Sequence, residues 1–223
     1  MKSLATVSLL SLAASAQKTY NGYCPKVTGS QNFDLDKYIE TTWWNPAASP
    51  FNFNFKFSKC TTATYRKSDK YENYIDVINS QLLWKRWRYT ARGHAIANDA
   101  EGVKGELAVG FFGSLPDKND PNYYVLDTDN ESFSYVWSCD QHNTSDNWFS
   151  SWWMRLFGIE SSPKYDVTLW ILGKDKEISD EGKRIEIETA VGILRDEFGW
   201  KEAEEFGDSV DFLETSGCPD PEF

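Results

Sequence analysis

Histidine is scarce in this chain of 223 residues. There are two, His94 and His142, and neither sits in a motif with a serine, a cysteine or a carboxylate. That removes the usual base of nucleophilic catalysis and leaves any general acid to a buried Asp or Glu. Positive charge is also short: 23 Lys and Arg stand against 34 Asp and Glu, for a net charge of −11. Nucleic acid and anionic headgroups are therefore poor general partners. Past the first residues no apolar run is long enough to cross a bilayer. Internal repeats, low-complexity tracts and linkers are absent. The cysteines, Cys24, Cys60, Cys139 and Cys218, lie far apart, so they form no zinc knuckle. Neither a metal site nor a cofactor is expected, and no catalytic residue can be nominated.

The start of the chain is informative. Met1-Lys2 gives a positive end, Leu4 to Ala13 an apolar stretch, and Ala14-Ser15-Ala16 a small-residue cleavage site. Residues 1–16 read as a signal peptide, and the mature chain as secreted and extracellular. Without Lys2 its net charge becomes −12. An even cysteine count in such a chain implies two disulfides, and spacing alone leaves three pairings open. Aromatics make up 16% of the residues, with ten Trp, enough to fill a core, line a cavity or touch a lipid surface.

Most of the middle reads as strands. One is expected around Trp43, then Cys60 to Lys67, Tyr74 to Ser80, Trp84 to Ala97 and Gly105 to Phe112. Asn122 to Leu126, Phe133 to Cys139 and Asp166 to Leu172 follow. Turn residues separate them. The class is all-β, and eight strands with short regular links suggest an antiparallel up-and-down β-barrel, which leaves no unpaired edge. One C-terminal α-helix follows. Ser179 caps it, Ile187, Val191, Leu194 and Phe198 form its apolar stripe, and Gly199 ends it. The acidic tail from Lys201 carries Cys218, which is placed to tie it back.

Three motifs occur in order. GYCPKV and NFDLDKYI precede Trp43-Trp44, LDTD precedes SFSYVWSC (Leu126 to Cys139), and TLWILGK spans Thr168 to Lys174. Together they resemble the lipocalin family, and within it the apolipoprotein D-like group. The resemblance implies one lipocalin domain over 17–223, with Cys24 paired to Cys139 and Cys60 to Cys218. Two departures stand out. The family's Gly-x-Trp glycine is replaced in Glu40-Thr41-Thr42-Trp43, and its Arg after Trp-Ile-Leu becomes Lys174. Lys can still sit over an aromatic ring but lacks the planar fork, so Trp43 and Lys174 are expected to plug the barrel base.

The resemblance also implies a cavity set: Tyr65, Asn79, Phe111 and Trp170. Strand parity adds Val77 and Val109, with Ala63 and Thr168 as further inward neighbours. Such a lining suits a small hydrophobic ligand carrying one or two polar atoms, in the range of lipids, sterols, retinoids and pigments. Between Trp84 and Arg92, arginines alternate with aromatics. An inward Arg would meet a ligand carboxylate, but outward charge is the more usual state.

The link from Asp140 to Lys164 is far longer than a hairpin needs. Trp148, Phe149, Trp152, Trp153, Leu156 and Phe157 recur there at helical spacing, giving a short helical insertion between the last two strands. In the family this link lies at the open mouth. The expectation is a lid, or peripheral contact with a membrane or lipoprotein surface, against a face merely packed on the rim. Sequons at Asn130 and Asn143 are candidate glycosylation sites. The reading that follows is a secreted carrier, not an enzyme. The alternatives are an isomerase or de-epoxidase on the same scaffold, and a protein-contact module built on the aromatic insertion.

Overall fold

The structure is a computed structural model, described here for residues 18–39, 41–49, 58–83, 86–98, 100, 102–142 and 163–221. The signal segment, Trp84, Asn143 and the aromatic insertion lie outside these residues. In chain order come β1 (Thr19–Asn21), α1 (Leu35–Tyr38), β2 (Thr41–Ala48), β3 (Ser58–Lys67), β4 (Ile75–Leu83) and β5 (Trp87–Ala97). Then follow β6 (Glu106–Phe111), β7 (Tyr123–Thr128), β8 (Phe133–His142) and β9 (Lys164–Gly173). The chain finishes with α2 (Asp180–Asp196), α3 (Ala203–Gly207) and β10 (Asp211–Phe212).

β2 to β9 pair antiparallel in sequence order, and β9 returns to β2 through Trp44–Gly173, Ala47–Ile171 and Ala48–Trp170. This is the expected eight-stranded barrel with its C-terminal helix. The closing seam shifts register between Trp44 and Ala47. Pro46 falls inside that shift, where its missing N–H breaks no regular ladder. Two short strands were not expected. β1 pairs with β9, and β10 pairs with Ala47 and Ala48 of β2. Several bounds differ from the sequence reading: β8 runs on to His142, β5 begins at Trp87 among the described residues, and Phe112 lies past the end of β6.

The wall is uneven. β6 and β7 have six residues each, whereas β5 has 11 and β8 and β9 have 10 each. β6 meets β5 only from Phe111–Gly93 to Leu107–Ala97. Above that register β5 pairs with β4 alone.

Both ends of the chain are stapled to the wall. Cys24–Cys139 has its Cα atoms 6.0 Å apart and Cys60–Cys218 5.5 Å apart, the pairing the family resemblance implies. The Ser179 side chain caps α2 by accepting from Gly182 N at 3.1 Å. Ile187, Ala190, Val191 and Leu194 are buried against Trp137, Leu169 and Ile171 on the outer face of the sheet. Phe198 lies beyond the helix, yet packs partly buried on the same cluster. Gly199, at φ +66°, turns the chain where a side chain would be strained.

Candidate functional site

Register decides which side chains share the inner face. Tyr65 stands opposite Val77, Val77 opposite Gly93, and Gly93 opposite Phe111. Ala63 and Asn79 are partners, as are Ala95 and Val109, and Val136 and Trp170. Tyr65, Val77, Val109, Phe111 and Trp170 all belong to the cluster packed inside the barrel. Gly93 is needed at its place: an added Cβ would stand 2.3 Å from Gly110 O and 2.8 Å from the Phe111 ring. Only a bare backbone lets that ring lie across it.

The closed end is built on phenols. Tyr65 and Tyr123 hydroxyls are 2.7 Å apart, and Tyr38 lies 3.2 Å from both the Tyr123 hydroxyl and Ser134 Oγ. Burial pushes Tyr38 up to about 12 and holds Tyr65 and Tyr123 well above the usual phenol value. All three therefore stay protonated and serve as a neutral hydrogen-bonded floor. Sequence reasoning missed Tyr38 and Tyr123. Inward parity on β7 could have found Tyr123, whereas nothing local marks Tyr38. Beneath them Trp43 is fully buried, stacks on Tyr38 at 4.9 Å and donates from Nε1 to Tyr38 O at 3.1 Å. Lys174 Nζ lies 4.1 Å from the Trp43 ring centroid and donates to Thr41 Oγ1. Desolvation lowers its ammonium from 10.5 to about 8.

Higher in the wall the lining changes character. Asn79 Oδ1 and Thr61 Oγ1 are buried, and neither finds a hydrogen-bond partner among the described residues. Such atoms cost about 1–3 kcal/mol each when left unpaired. Thr61 lies two residues before Ala63, which faces Asn79, so the two orphaned oxygens belong to the same part of the inner face.

The remaining candidates divide. Asn130 is 7% exposed, and both ends of its amide are hydrogen-bonded. Oδ1 accepts from Asp34 N at 2.8 Å and Nδ2 donates to Asn32 O at 2.9 Å. It brackets the N-terminal arm, and its burial leaves little room for a glycan on Nδ2. Sequons are read from three adjacent residues and carry no sign of such tertiary use. Asn143, Trp148, Phe149, Trp152, Trp153, Leu156 and Phe157 lie outside the described residues. His94 Nδ1 meets Asp76 Oδ1 at 3.1 Å on the outer face, and His142 Nε2 meets Asp166 Oδ2 at 2.8 Å near the rim. Separately, a groove of about 1080 Å³ runs along the closed end, from Leu35 and Ile39 past Tyr74 to Leu115 and Pro116.

A closed antiparallel cup with a Trp plug, a polar floor and a packed outer helix is a lipocalin barrel. Bovine (Bos taurus) apolipoprotein D is 31% identical over 170 residues, covering 76% of this chain and 75% of that protein. The bilin-binding protein of Pieris brassicae is 26% identical over 180 residues, covering 79% and 80%. Among solved structures, insecticyanin from the tobacco hornworm Manduca sexta superposes with a TM-score of 0.61 at 23% identity, over 91% of each chain. Lobster apocrustacyanin A1 superposes at 0.59 and 14% identity, over 90% of this chain and 93% of that one. No protein-family model matches the sequence. The chain belongs to the lipocalin family, in its apolipoprotein D-like branch.

Proposed function

We propose that this protein is a secreted carrier that holds one small, mostly apolar molecule inside the barrel, and that it performs no chemistry on it. The observation that carries the reading is the Asn79 carbonyl oxygen, buried in a mostly apolar and aromatic wall and without a donor among the described residues. A guest with a hydroxyl or N–H group would relieve that cost, while its apolar body gains roughly 25 cal/mol per Å² removed from water. Tyr65, Val77, Val109, Phe111 and Trp170 form the contact surface, and Asn79 sets orientation. Tyr65 acts mainly through its ring, because its phenol is shared with Tyr123. A relative named for binding a bilin supports counting pigments, beside lipids, sterols and retinoids, among the guests.

At the mouth, the insertion face of Trp148, Phe149, Trp152, Trp153, Leu156 and Phe157 closes over the guest or touches a membrane or lipoprotein surface. Native mass spectrometry and organic extraction of the purified protein test the carrier reading. One lipid or pigment per chain is expected, with visible absorbance if it is a pigment. A protein that arrives empty and fails to quench its tryptophan fluorescence with retinoid, sterol or fatty acid sinks it.

A further inference from the structure

The tall β4–β5 hairpin stands out from an acidic molecule. β5 continues six residues above its last pairing with β6, from Gly93 to Trp87. At about 3.3 Å per residue that is roughly 20 Å of ribbon above the low part of the wall. Its tip lies at the opposite end from Trp43 and Lys174, because β4 ascends from the base and β5 descends to it. On this ribbon Trp87 is 64% exposed and Tyr89 45%. Arg86, Arg88 and Arg92 are also exposed. Arg88 donates to Ser80 Oγ at 3.2 Å, and none of the three arginines has a recorded ion pair among the described residues.

The sequence from Val77 to Asn98 contains no Asp or Glu in a chain of net charge −11. Carboxylates instead crowd α2 and the tail, across the ring from β5. Charges alone would suffice to protect a free sheet edge. They do not account for the exposed rings of Trp87 and Tyr89, which share the parity of Gly93 and so stand on the mouth-facing side of the ribbon, opposite Arg88 and Arg92.

We propose that the upper part of the β4–β5 hairpin is a docking element for an anionic lipid surface, with Arg86 and Arg88 meeting headgroup phosphates or carboxylates and Trp87 and Tyr89 seated at the interface. The inference deepens the carrier reading, since it places the mouth against the phase from which an apolar guest is drawn. Interfacial aromatics and a local basic cluster are what such a surface selects. Overall negative charge does not oppose it, because charge beyond about 8 Å is screened at physiological salt and only the nearest groups count.

The test is sedimentation of the full secreted protein with vesicles of phosphatidylcholine alone and with 30% phosphatidylserine, at low salt and at 0.5 M NaCl. Binding is expected to the anionic vesicles only, and to fall with salt. Each arginine near the surface is worth about fivefold, so the Arg86→Gln, Arg88→Gln double variant should lose about 25-fold. The Arg86→Lys, Arg88→Lys variant should retain most binding. Trp87→Ala should weaken binding with less salt dependence. Uptake of a soluble fluorescent fatty acid, read in parallel, should be unchanged in every variant. Equal binding to neutral vesicles, an unaffected glutamine variant, or no vesicle binding with normal uptake overturns the docking proposal and leaves the carrier reading standing. Loss of uptake in the unmodified protein overturns the carrier reading instead.

Discussion

Outside the wall, Trp137, Trp200 and Phe206 meet edge to face or tilted, with centroids 4.9, 5.2 and 5.8 Å apart, beneath the stripe of α2. Inside the same wall, Tyr38, Tyr65 and Tyr123 are joined through their hydroxyls, and Trp170 stacks on Tyr123 at 6.3 Å while remaining part exposed. Each face buries aromatic side chains, but the outer one is sealed by a helix, whereas the inner one carries a hydrogen-bonded floor of phenols and, higher up, the buried Asn79 oxygen. Stability is concentrated in the first region and receptivity in the second.

The largest expected effect breaks the outer region. Trp137→Ala should cost about 3–5 kcal/mol in urea denaturation, because a fully buried ring leaves a cavity under α2. It should leave the affinity of the folded fraction for its guest nearly unchanged. Tyr123→Phe comes next. It removes the central hydroxyl of the floor and takes the 2.7 Å partner from Tyr65, while Tyr38 keeps Ser134 Oγ, for about 1–3 kcal/mol. The inner wall gives the opposite sign. Asn79→Ala deletes an unpaired buried oxygen, so stability should stay within about 1 kcal/mol of the parent or rise. Affinity for a hydroxylated guest should drop about tenfold by fluorescence titration, whereas a guest without a donor should bind as before.

A smaller effect separates the base from both regions. Lys174 is lowered from 10.5 to about 8 by desolvation. Between those values the unfolded chain binds more protons than the folded one, so stability should rise as pH climbs from about 8 towards 10.5 and be flat below 8. The rise should be modest because the ammonium is only part buried, and Lys174→Arg should abolish it in urea titrations at pH 7, 9 and 10. The smallest prediction concerns Asn130. Peptide mapping of the secreted protein should find its amide unmodified, since both side-chain ends bind the N-terminal arm.

Alternation along the strands and the even turn spacing made the barrel legible, and helical spacing made α2 legible. Inner-face parity followed at once, which is why Val77 and Val109 fall beside Tyr65 and Phe111. What stayed hidden depends on distant partners. β1 and β10 are two or three residues long and exist only because β9 and β2 offer them an edge. Tyr38 joins Tyr123 across 85 residues, a contact that no local pattern encodes. Phe112 reads as the end of a strand by its aromatic character, yet Gly113 and Ser114 turn the chain there and expose it.

Both covalent crosslinks join a terminal segment to the barrel, and neither spans the seam between β2 and β9. A reductant should therefore free the leading arm and the trailing tail before it opens the cup. Limited proteolysis under thiol would trim the two ends and leave a core that keeps its guest, so redox state would govern the molecule's lifetime more than its cargo.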